Sequence, residues 1–198
     1  MKLTPLRQTL QGGDRRSIGK ANQVAKQMLR QPSRMEELIA CLWSDAPVVS
    51  MRAADAAEKV SVVRPDLLKP FKAELLGLAD ETRQAELRWH LALMLPRLPL
   101  NASERVRATA IFREYLDDRS SIVKTCAIQG LIELGKGNAN QEREMIELLE
   151  VASRTGTPAM KARCRKLLEQ FEKESRQKGA VPVIDGATRR VRKPHSAK

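Results

Sequence analysis

DAPVVSMRAADAAEKV, residues 45–60, and DRSSIVKTCAIQGLIEL, residues 118–134, are two versions of one segment: an acidic turn, then a helical pattern carrying an apolar residue followed directly by a basic one. Their pairs, Met51-Arg52 and Val123-Lys124, belong to a series completed by Leu87-Arg88 and Met160-Lys161, at intervals of 36, 36 and 37 residues. Each copy follows another helical pattern, so the period describes a two-helix unit repeated along the chain.

Working outward, apolar spacing and helix punctuation divide the chain into helices. An imperfect segment spans Arg15 to Arg30, with Ile18, Ala21, Val24, Ala25, Met28 and Leu29 on one face. Ser33 to Glu36 reads as a capping box opening a helix that turns Met35, Leu38, Ile39, Leu42 and Trp43 inward. Asp45-Ala46-Pro47 starts the partner helix, with Asp as the cap and Pro in the first turn. Asp66 opens the next, with a kink expected at Pro70, and Asp80 caps a helix from Thr82 to Leu95 that is apolar almost all round. Asn101 to Glu104 is a second capping box, for a helix with Val106, Ala110, Ile111, Tyr115 and Leu116. Gly135 and Gly137 end the following helix, Asn138 or Asn140 opens another, and Thr157-Pro158 starts the last, which runs to about Phe171.

The two quoted segments resemble HEAT-type repeats, whose second helix follows an acidic turn and carries an apolar-Arg pair with small residues three and four positions on. Ala54, Cys126 and Ala127 fill those positions here, while Asp55 and His90 depart from the rule. The resemblance covers Arg15 to Phe171, and the chain is similar to short bacterial HEAT-repeat proteins without an assigned activity. It implies an all-α, right-handed α-solenoid of about four helix pairs at 15–171, between a flexible segment at 1–14 and a disordered basic tail at 172–198. Second helices would line a concave face and first helices a convex one.

Composition narrows the function. With 42% hydrophobic and 3% aromatic residues, the core is built mostly from Leu, Ala, Ile, Val and Met. Residues 1–14 hold no apolar run, and the longest later run, Leu91 to Leu95, is far short of the roughly 18 residues that cross a bilayer. A cytoplasmic monomer without membrane contact is therefore expected. Cys41, Cys126 and Cys164 lie far apart with no C-x-x-C and no histidine at ligand spacing, so they read as core residues, and no metal or cofactor is expected.

The net charge of +12 concentrates at the ends: +5 from residue 172 onward and +3 from residues 1–16, which leaves +4 for the array. Within the array the second helices sum to +4, most of it in the last repeat, and the first helices to −4. A mildly basic concave face fits another protein or an acidic peptide. The candidate contacts are the ladder Arg52, Arg88, Lys124 and Lys161, together with Arg163. A second reading stays open beside it, in which the ladder pairs with acids of adjoining repeats and fixes the stacking. Nucleic acid is the alternative partner, bound weakly and salt-dependently, with Arg189, Arg190, Arg192 and Lys193 of the tail as contacts. A third reading follows HEAT-like solenoids that resemble DNA glycosylases and places Asp55, Trp89, His90 and Arg88 near one another on adjacent second helices. Against it, Trp89 lies in an apolar helix, Asp55 has Arg52 and Lys59 at pairing distance along its own helix, and one carboxylate is not a catalytic constellation. The expectation is a non-catalytic binding module.

Overall fold

A computed structural model describes residues 5–14 and 17–179, with side chains to residue 173. Among the described residues the chain is all-α: α1 (Leu6–Leu10), α2 (Ala21–Arg30), α3 (Met35–Ala40), α4 (Pro47–Val63), α5 (Lys72–Glu81), α6 (Ala85–Met94), α7 (Ala102–Tyr115), α8 (Ser121–Gly135), α9 (Ala139–Thr155) and α10 (Pro158–Gly179). Each even-numbered helix from α2 to α10 packs on the next even-numbered one, and α3, α5, α7 and α9 each pack on the helix that follows. None of these helices is long and apolar enough to cross a membrane.

Helix α4 shows how sequence dictates this packing. Pro47 occupies the first turn, where no amide hydrogen bond is required. Ala53, Ala54, Ala56 and Ala57 are all fully buried, and these short side chains let α2 and α6 approach on either side. Gly130 does the same for α8, since a Cβ there would stand 2.6 Å from the Ala92 carbonyl oxygen and 2.7 Å from the Phe112 ring.

Several helix ends differ from the sequence reading. The expected box of Ser33 and Glu36 does not form: Pro32–Arg34 make a 3-10 turn and α3 begins after Arg34 with no side-chain cap, while the neighbouring Glu37 accepts from the Leu6 amide and from Arg34. Asp45 and Asp80 cap nothing; they bind Arg7 and Arg107, and α4 and α6 begin after Ala46 and Gln84. The segment around Pro70 is a 3-10 helix, Pro65–Phe71, ahead of α5. Asn101 and Glu104 form the complete reciprocal box, and Asn138 caps α9. Trp43 and Val106, expected inside, are 47% and 71% exposed, and the Trp43 indole N–H donates to Glu74.

Two boundaries also move. Residues 5–14, expected outside the array, include α1, whose Leu6 and Leu10 are fully buried in the common core. At the other end α10 continues through Gly179, eight residues beyond the expected stop at Phe171.

Candidate functional site

The ladder divides into a buried half and an accessible half. Arg52 is 1% exposed and its guanidinium faces the N-terminal segment. Nη1 donates to the carbonyl oxygens of Leu10 (2.8 Å) and Gly12, Nη2 to that of Asp14 (2.8 Å), and Nε to that of Ser17 (3.0 Å). Only Arg has a rigid fork able to serve so many acceptors at once. This corrects the expectation that Arg52 meets a partner: its donors are consumed in holding Leu10, Gly12, Asp14 and Ser17 against α4.

Arg88 is likewise internal. Its Nη1 binds Asp118 at 2.6 Å, its Nε donates to the Thr82 carbonyl at 2.9 Å, and its carbon centre lies 4.9 Å above the Tyr115 ring. The side chains of Arg88 and Asp118 are only 13% and 11% exposed. Burial alone would raise the Asp118 pKa, but the Ser120 amide and Arg88 outweigh it and hold the carboxyl below its usual range. Tyr115 donates its hydroxyl to the Ala79 carbonyl, and burial raises its pKa strongly. Arg88 thus ties α6 to the turn before α8, the stacking role left open for the ladder, and is corrected from contact residue to structural pin.

Lys124, Lys161 and Arg163 remain. Lys124 is half-buried, and its charge also holds Asp118 low. Lys161 is half-buried on α10, and Arg163 is exposed and reaches the Gln129 amide oxygen of α8. Beside Arg163 a trough of about 240 Å³ runs between α6, α8 and α10, walled by Leu93, Ile122, Cys126, Gln129 and Met160. A second hollow of about 260 Å³ continues it past the same Leu93 and Gln129 to Arg97 and Glu133. Ile122 is 52% exposed. Burial lifts the Cys126 thiol to about 11, against a small lowering by Arg163. Arg189, Arg190, Arg192 and Lys193 lie outside the described residues.

The structure also unites most of the third constellation. Asp55, Trp89 and His90 line one cavity of about 340 Å³ with Glu86, Met51 and Ile18, while Arg88 faces away toward Asp118. Asp55 is paired with Lys59 at 2.5 Å, one of the two partners anticipated along α4. Burial lowers the His90 pKa despite the raising influence of Asp55, Glu58 and Glu86, so the imidazole is neutral. Glu86 escaped the sequence reading, although it lies four residues before His90 and hence on the same helix face. Among the described residues, no three His, Cys, Asp or Glu side chains converge as a metal site.

No family model matches this chain, and neither does any curated protein or solved structure.

Proposed function

We propose that the chain is a right-handed α-solenoid of about four HEAT-like helix pairs that acts as a non-catalytic protein-binding module in the cytoplasm. Its partner-binding surface is the trough between α6, α8 and α10. The observation that carries this reading is the combination found there: an apolar floor of Leu93, exposed Ile122 and Met160, with the Arg163 guanidinium on the rim. Such a surface suits a segment with apolar anchors and acidic flanks, because hydrophobic burial supplies affinity and the Arg163 cation selects charge. Stacking of even-numbered helices on one another supports the solenoid architecture. The pairing of Asp55 with Lys59 favours binding over catalysis, since a carboxylate held by an ammonium is a poor general base.

Selection from a random displayed-peptide library tests this. The full-length protein should enrich peptides that combine acidic and apolar residues, and Lys161→Glu/Arg163→Glu should lose them while keeping the same helicity. Peptides that bind both proteins equally would dismiss the trough. A basic rim also fits phosphate, so duplex DNA binding with a steep salt slope that the double variant abolishes would move the reading to nucleic acid.

A further inference from the structure

The cavity at the other end of the even-numbered row carries its own chemistry. Its lining includes Trp89, the apolar Met51 and Ile18, and the acids Asp55 and Glu86. Its volume of about 340 Å³ falls at the lower end of the roughly 300–1,000 Å³ typical of small-ligand sites. His90, 9% exposed, lines the same wall with a buried Nδ1 that no described residue hydrogen-bonds.

The acids around the cavity are not equivalent. Asp55 is paired with Lys59 and the nearby Glu58 with Arg97, which leaves Glu86 as the carboxylate without a counter-ion among the described residues, and burial keeps the His90 imidazole uncharged. Arg52 also borders the cavity, but its guanidinium is engaged by four backbone carbonyls on the N-terminal side. Asp55 is bound to Lys59, whereas Glu86 has no hydrogen bond or ion pair among the described residues. An indole face beside an uncommitted carboxylate is the arrangement that attracts an organic cation, through the ring quadrupole and the charge together.

We propose that this cavity binds a guanidinium or ammonium group on a short alkyl stem, with the stem against Met51 and Ile18, the cation over Trp89, and Glu86 as its counter-ion. The group is either a free amine or the Arg or Lys side chain of a protein segment. The site is separate from the α8–α10 trough and does not depend on its role.

Fluorescence titration of full-length Trp43→Phe, which leaves Trp89 as the sole indole, tests the proposal. N-butylguanidinium should give a saturable change and N-butylurea, its neutral counterpart, none. Glu86→Gln should weaken binding about tenfold with unchanged circular dichroism, the weight of one charge-assisted contact, and Lys161→Glu/Arg163→Glu should leave it intact. An acetyl-Gly-Arg-Gly amide peptide binding at least as tightly assigns the group to a partner's side chain, while binding of butylguanidinium alone assigns it to a free amine. No saturable response, an equal response to butylurea, or indifference to Glu86→Gln would overturn the proposal.

Discussion

Replacing Arg52 by Met keeps the aliphatic bulk and removes all of the guanidinium's donors. Four carbonyls lose the guanidinium, of which the one at Leu10 is in a buried bond and those at Gly12, Asp14 and Ser17 are in part-buried ones, and the Asp14 carbonyl keeps the Ser17 amide as a donor. At about 1.5–3 kcal/mol for a hydrogen bond to a charged group, four such bonds overstate the loss, because three of the carbonyls can recover water. Removing the buried guanidinium also removes its desolvation penalty. The expected net destabilisation is about 1–3 kcal/mol, the cost of leaving the buried Leu10 acceptor unsatisfied, equivalent to a fall in Tm of roughly 2–12 °C for a chain of this size. The effect should begin locally: α1 has five residues, too few to stand as an isolated helix. Urea denaturation with hydrogen exchange at the amides of residues 6–19 reads both quantities. Arg52→Lys should recover only part of the loss, since an ammonium cannot span the four acceptors. Gly19→Ala should act through the same contact, because a Cβ there would stand 2.8 Å from the guanidinium at φ +52°, and its cost should shrink in the Arg52→Met background. If Arg52→Met shifts stability by less than about 0.5 kcal/mol, the ordinary scale of a surface substitution, and α1 keeps its protection, the clamp is refuted.

Gly130→Ala should destabilise by about 1–3 kcal/mol through overpacking against Ala92 and Phe112, whereas Gly77→Ala, with nothing within 4 Å in α5, should stabilise by about 0.5–1 kcal/mol in the same thermal melts. His90 is held neutral, its folded pKa below the ordinary 6.5. The unfolded chain therefore binds the proton more readily, and stability should be full above pH 6.5 and decline as pH falls from there to the folded pKa; His90→Gln should flatten that part of a Tm-versus-pH series. Because burial raises all three thiols, Cys126 to about 11, they should react slowly with a disulfide reagent at pH 7.5 and all become reactive in denaturant.

The 36-residue period exposed the all-helical pattern because it is written in apolar positions, and Val123 and Leu87 are indeed buried in the core. What Arg52 and Arg88 contact was less legible. An acid can be sought by spacing, and Asp118 lies in the turn before the next ladder helix. Backbone carbonyls carry no residue signature, so nothing marked Leu10, Gly12, Asp14 and Ser17 as the Arg52 targets except the i,i+4 pair Leu6 and Leu10 that brings α1 into the core. Asp45 illustrates a different limit: a capping pattern competes with tertiary partners, and Arg7 holds the Asp45 carboxylate instead. The juxtaposition of Asp55 with Trp89 and His90 followed from their separation of almost one period. Ile18 and Ser17 could not be placed there, because α2 starts at Ala21 rather than Arg15.

The most direct test of the binding-module account is fluorescence anisotropy of a labelled peptide with apolar anchors and acidic flanks, beside labelled duplex DNA, against full-length protein and Lys161→Glu/Arg163→Glu across a salt series. The account predicts saturable peptide binding that keeps an apolar, salt-resistant component and is lost in the double variant, with DNA binding fading toward physiological salt. Tight DNA binding that depends on Lys161 and Arg163, with no peptide bound at any salt, would contradict it.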